Sequence, residues 1–212
     1  MEPTTATTRK LVVDAIHDFR LILVFRGINR NTRSEVAYAI DSGVQVIEFT
    51  LDDSKALDEI DYWRTNSSRI IGAGTVNDDN QARRAIEAGA LFLVSPYTDG
   101  KVAYVANERQ TLYIPGAFSP NEIRETVSLA GVNFVKVFPA CSLTPRGFKA
   151  ILTVEPTLRL IASGDIHPEE AMNYLGAGAK AVALASTRFS TASNHLENVV
   201  ERMRIGEVVI DT

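Results

Sequence analysis

The chain has 212 residues, 45% of them hydrophobic, with 22 basic and 26 acidic side chains and a net charge of −4. The charges are scattered, which excludes the basic footprint of a nucleic-acid binder, and no apolar run approaches the ~20 residues that cross a bilayer. The single Cys141 excludes an internal disulfide framework, and His17, His167 and His195 lack metal-ligand spacing.

Residues 1–7, within the opening MEPTTATTRK, read as a flexible lead-in without the apolar core of a secretion signal. These features predict a cytoplasmic protein that needs no metal or cofactor and acts on a small molecule. Residues 8–19 then carry Leu11, Val12, Ala15, Ile16 and Phe19 at helical spacing. The short apolar run RLILVF follows, and after it the helical pattern TRSEVAYAIDSG. The same alternation continues to the end of the chain. Further strands are predicted at 44–51, 69–74, 90–95, 111–115, 132–138, 158–163 and 180–185, with helices such as DDNQARRAIEAGA and SPNEIRETVSLAG between them.

Four similar junctions punctuate this alternation: Ser42-Gly43-Val44, Ala88-Gly89-Ala90, Ala130-Gly131-Val132 and Ala177-Gly178-Ala179. Each closes a helical stripe and opens a strand, where glycine supplies the left-handed cap. Eight strands that are apolar throughout are buried on both faces, which implies a parallel sheet covered by helices. They predict one (β/α)₈ TIM barrel over residues 1–212, capped by the N-terminal helix. An open doubly wound sheet is the alternative arrangement.

Barrel chemistry sits at the C-terminal ends of the strands, so the polar residues there are the candidates. Arg26 ends the first strand, and Glu48 and Thr50 lie two apart in the second. Thr75 follows the third, Lys136 interrupts the apolar FVKVFPA, Asp165 follows strand seven, and Ser186 ends strand eight. Alternation places Val46, Glu48 and Thr50 inside, with Ile47, Phe49 and Leu51 against the helices. It likewise turns Phe134, Lys136 and Phe138 inward.

A desolvated lysine loses its proton more readily and becomes the nucleophile that forms a Schiff base with a carbonyl. Glu48 can shuttle protons and Arg26 can hold a carboxylate. The plainer alternatives are a buried Lys–Glu ion pair, a surface arginine, a helix-capping Thr75, a helix N-cap or turn residue at Asp165 and a space-filling Cys141. On chemistry alone the set suggests a class I aldolase or another imine-forming enzyme.

The strings VIEFTL, IIGAGTV, VSP, YIPGAFSPNE and FVKVFPA, in that order, resemble the 2-keto-3-deoxy-6-phosphogluconate and 4-hydroxy-2-oxoglutarate aldolases over residues 20–190. The resemblance implies a homotrimeric barrel that cleaves a 2-keto-4-hydroxy acid to pyruvate and an aldehyde. Within it, Lys136 matches the Schiff-base lysine and Glu48 the general acid/base. Thr75 and Arg26 match substrate-binding positions, and Pro96 and Phe138 match the lining of the pyruvate pocket.

The chain departs from the family pattern at several points. Asp52 and Asp53 stand where some members carry an arginine, and Cys141 replaces a glutamate. At the family's phosphate site, Gly164-Asp165 and Ala183-Leu184-Ala185-Ser186 replace glycine-rich segments. A carboxylate at Asp165 would repel a phosphate by a few kcal/mol at an effective dielectric near ~20. A non-phosphorylated substrate such as 4-hydroxy-2-oxoglutarate is therefore expected. The competing readings are a phosphorylated sugar acid held by Ser186 and Arg188, and a non-catalytic barrel that binds keto acids.

Overall fold

The computed structural model describes residues 5–129, 131–189 and 195–205. Helix α1 (Thr5–Phe19) buries Val12, Ile16 and Phe19. It packs against β2 (Val46–Thr50), β5 (Leu112–Ile114) and β9 (Ala181–Ala185). No two of these strands are neighbours in the sheet order, so the helix covers one end of the barrel, as predicted. Thr5–Thr7, expected to belong to a flexible lead-in, are already helical; the rest of that lead-in lies outside the described residues.

The remaining strands are β1 (Leu21–Phe25), β3 (Ile70–Gly74), β4 (Phe92–Val94), β6 (Gly116–Ala117), β7 (Val135–Val137) and β8 (Leu160–Ser163). Every pairing is parallel, in the order β5-β4-β3-β2-β1-β9-β8-β7-β6. β5 and β6 are one stretch of chain interrupted at Pro115, so the two ends of this order meet and the sheet closes. Proline has no N–H to give to a ladder, but its carbonyl still accepts from the Lys136 N–H at 2.8 Å. The strand expected at 111–115 therefore appears as β5, and the chain beyond Pro115 adds the unexpected β6, which pairs with a different neighbour.

Helices α2 (Thr32–Asp41), α3 (Ala56–Asn66), α4 (Asp79–Glu87), α5 (Gly100–Glu108), α6 (Pro120–Val127), α7 (Ala140–Val154), α8 (Ala171–Gly176) and α9 (His195–Ile205) fill the intervals. Three of their starts are capped by short polar residues. Asp78 accepts from the Gln81 N–H, Asp99 from the Lys101 and Val102 N–H groups, and Ser119 forms a reciprocal capping box with Glu122. Gly43, Gly89, Gly131 and Gly178 all take the left-handed conformation at the junctions read from the sequence; Ala130 of the third junction lies outside the described residues. Helix α7 is broken at Thr144, ahead of Pro145, into a first turn and a longer second segment. Among the described residues, no helix is long and apolar enough to cross a membrane.

Register then decides what points inward. Val24 is level with Glu48 and Ala185, Glu48 with Gly72, Lys136 with Ile161, and Ser163 with Ala183. Partners in a parallel ladder share a face, so all these side chains enter the barrel. Two interior glycines make the room. A methyl group at Gly72 would come within 2.5 Å of the Phe92 ring, and one at Gly74 would strike the Glu48 carboxyl group. The buried Phe92 ring fills the space that Gly72 leaves, and its loss to alanine would cost about 3–5 kcal/mol.

Candidate active site

At the C-terminal ends of the strands a cavity of about 510 Å³ is lined by Val24, Arg26, Glu48, Lys136, Phe138, Ser163, Gly164, Asp165, Ile166, Ala183, Ala185, Thr187 and Arg188. That volume suits a small organic ligand. Lys136 and Glu48 are 8% and 2% exposed, so both ionisable heads have left bulk water. Lys136 makes no direct ion pair or hydrogen bond through its amine with another described residue; Nζ lies 5.1 Å from the centre of the Phe138 ring. The two charges nonetheless feel each other. Burial pushes the Glu48 carboxyl above its ordinary pKa, opposed by the cations of Lys136 and Arg26. Burial pushes the Lys136 ammonium below its ordinary pKa, opposed by Glu48 and reinforced by Arg26.

Desolvation thus favours a free amine and a protonated acid in one cavity. An amine in this state attacks carbonyl carbon, and an acid in this state gives a proton to a departing oxygen.

Arg26 follows directly on β1 and enters the cavity from its rim. Its Nη1 lies 3.0 Å from Asp52 Oδ2, and its Nη2 donates to Thr75 Oγ1 at 3.2 Å. Thr75 has φ 55°, a left-handed conformation that is strained for a β-branched residue. On the opposite side, Arg188 is ion-paired with Asp165, and its Nη1 lies 3.3 Å from His167 Nε2. Asp165 is also left-handed, at φ 52°. Beside it, a side chain on Gly164 would meet the Phe138 ring at 2.8 Å and Pro139 Cα at 3.0 Å. Glycine at 164 is therefore demanded by close packing beneath the cavity floor.

The family described as KDPG and KHG aldolase matches residues 13–204. The chain belongs to the KDPG and KHG aldolase family. Its members are class I aldolases, lyases that cleave keto-deoxy acids, and this chain is such an enzyme. The aldolase is 30% identical over 173 residues to a probable 2-dehydro-3-deoxy-6-phosphogalactonate aldolase of Rhizobium meliloti, spanning 80% of this chain and 81% of that one. It is 33% identical over 138 residues to a 2-dehydro-3-deoxy-phosphogluconate aldolase of Pseudoalteromonas atlantica, spanning 64% of each chain. Among solved structures, a 4-hydroxy-2-oxoglutarate/2-dehydro-3-deoxyphosphogluconate aldolase superposes with a TM-score of 0.79 at 28% identity, covering 91% of this chain and 96% of that one.

Of the positions singled out in the aldolase sequence, Arg26, Glu48, Lys136, Phe138, Gly164 and Asp165 line the one cavity, and Thr75 is tied to it through Arg26. Two others sit elsewhere. Pro96 lines a neighbouring cavity that shares only Phe138 with the first, because β4 ends before the chain turns outward at Pro96. Ser186 faces the space between β1 and α2, since the short 3₁₀ turn Ser186–Arg188 rotates successive side chains away from one another. Thr187 and Arg188 reach the site in its place.

Cys141 is exposed and does not fill space; its N–H donates to the Gly164 carbonyl at 3.3 Å. Asp165 does not cap a helix. The following 3₁₀ turn, Pro168–Glu170, is capped by His167, whose N–H donates to the Glu170 carboxylate. Sequence reasoning passed over Ser163, Thr187 and the Asp52–Arg26 pair. Alternation from Ile161 would have found Ser163; the other two depend on how separate loops meet. Among the described residues, no group of three or more His, Cys, Asp or Glu side chains is placed to hold a metal ion.

Proposed function

We propose that the enzyme cleaves a short, non-phosphorylated 2-keto-4-hydroxy acid to pyruvate and an aldehyde through a Schiff base on Lys136. The observation that carries this reading is the burial of Lys136 and Glu48 in one cavity, with the lysine pushed toward its free amine and the acid toward its protonated form.

The steps follow from those protonation states. Lys136 Nζ attacks C2 of the keto acid to give a carbinolamine, and Glu48 protonates the departing hydroxyl, which leaves as water. The resulting iminium is an electron sink. Glu48, now a carboxylate, takes the proton of the C4 hydroxyl, and the C3–C4 bond breaks. Its electrons enter the iminium to form an enamine, and the aldehyde departs. Protonation of the enamine at C3 and hydrolysis of the imine release pyruvate and restore Lys136. Arg26 and Thr75 hold the pyruvyl carboxylate at the rim.

The aldehyde half extends toward Asp165 and Arg188. There the Asp165 carboxylate that neutralises Arg188 itself lines the cavity, whereas the Asp52 partner of Arg26 does not, and Ala183 and Ala185 narrow the wall. A phosphate dianion would have to displace Asp165 before reaching Arg188. A homotrimer is part of the same reading, in keeping with the exposed Tyr97 and Phe118 beside the neighbouring cavity.

The test is reduction with borohydride in the presence of pyruvate, followed by intact-mass and peptide analysis. Added mass at Lys136 is expected, and its absence overturns the Schiff-base assignment. Comparing turnover of phosphorylated and non-phosphorylated sugar acids tests the substrate assignment, which a several-hundredfold preference for the phosphorylated one would overturn.

A further inference from the structure

Arg26 borders two cavities. One holds Lys136 and Glu48; the other, of about 270 Å³, lies between β1 and α2 and presents the carboxylate of Glu35. The Arg26 side chain is 59% exposed and extends past the end of its strand, so nothing in β1 itself dictates which space it occupies. Two groups from other elements do. Thr75, just after β3, takes one terminal nitrogen and Asp52, just after β2, takes the other. Contacts to two different nitrogens set the plane of a guanidinium as well as its position.

The next residue secures the loop that carries this contact. Asp53 Oδ2 accepts from the Ile28 N–H at 2.7 Å, and its Oδ1 accepts from the Lys55 N–H at 2.9 Å. One carboxylate thereby ties the loop after β2 to the loop after β1, and the Asp53 pKa is held down by those two backbone donors. The double aspartate thus divides its work: Asp53 fastens the loop and Asp52, borne on it, grips Arg26.

We infer that Asp52 is a positioning residue that keeps the Arg26 guanidinium on the Lys136–Glu48 side of the rim, where it meets the carboxylate of the keto acid. Exposed ion pairs add little to folding stability, so the consequence is orientation. This inference rests on the reading that Lys136 forms the imine.

The test exploits opposite signs. The charged groups facing Lys136 are Glu48 from β2, Arg26 from the end of β1, Asp165 after β8 and Arg188 after β9. Removing the Asp52 anion while Arg26 stays in place leaves Lys136 easier to deprotonate or unchanged. Releasing Arg26 toward Glu35 withdraws a cation that now depresses the Lys136 pKa, so the amine becomes harder to deprotonate.

The experiment measures initial rates of borohydride trapping by pyruvate against pH and pyruvate concentration, using the full chain and its Asp52→Asn and Asp52→Glu variants, with circular dichroism as a folding control. In Asp52→Asn the pH midpoint is expected to move upward and half-saturation by pyruvate to rise about tenfold, the effect of one charge-assisted contact. Asp52→Glu should recover most of both. A midpoint that stays or moves downward, or half-saturation within twofold of the parent, overturns the inference. If the parent chain itself traps no pyruvate, the Lys136 reading has failed instead.

Discussion

Gly74 offers a sharp way to separate folding from chemistry. In Gly74→Ala the new methyl carbon would stand 2.5 Å from Glu48 Cδ and 2.8 Å from Cγ, with Oε1 closer still. Ordinary contact begins near 3.4 Å, so the carboxyl group must retreat by about an ångström. The atoms in the way belong to the end of a side chain beside an open cavity, so the backbone need not move. Strain from such overpacking is about 1–3 kcal/mol, a loss of several degrees in melting temperature for a chain of this size. The chemical effect should be larger, because a misplacement of ~1 Å in a reacting group lowers rates by roughly a hundredfold. The assay couples pyruvate release to lactate dehydrogenase and records kcat and KM beside a thermal melt. A hundredfold fall in kcat with a folded, slightly destabilised protein is expected. A variant with kcat within threefold of the parent would refute the claim that Glu48 must lie over Gly74 to act.

Lys136→Met should abolish trapping of pyruvate without lowering the melting temperature, since it removes a buried ammonium. Because the folded-state pKa of Lys136 is depressed, its penalty is greatest below that pKa and fades as pH rises toward the ordinary lysine value; the thermal gain in the variant should fade likewise. In Glu48→Gln the carboxyl group whose ionised form opposes deprotonation of Lys136 is gone, so the pH midpoint for imine formation should fall; a rise in the trapping profile would contradict the coupling. Asp165→Gly relieves a left-handed non-glycine position and frees Arg188. The ratio of kcat/KM for phosphorylated over non-phosphorylated sugar acids should rise at least tenfold, as a shift of about 1.4 kcal/mol produces, and an unchanged ratio would show that Asp165 does not select the substrate.

Local pattern was enough for the barrel and for the central pair. Strand-length apolar runs, glycine after four of the helical stripes and polar caps ahead of three helices are nearest-neighbour physics, and they specify eight strand–helix units without reference to distant contacts. Period two then turned Glu48 and Lys136 inward, because β-strand geometry alternates faces whatever surrounds it. Other features needed the fold. Pro96 and Ser186 missed the cavity because side-chain direction beyond a strand end is set by each loop's own turn. Arg26 and its partners Asp52 and Thr75 come from beyond the ends of three neighbouring strands, and Arg188 with its partners Asp165 and His167 from beyond two more. Gly74 reads locally as a turn signal, yet its place in β3 is required by a carboxyl group that the next strand over lays across it. The sequence by itself determined which residues within the strands enter the barrel, since alternation is a property of the backbone. Only closure of the sheet decided which of them meet, since that depends on strand register and loop paths that bring residues more than a hundred positions apart into one cavity.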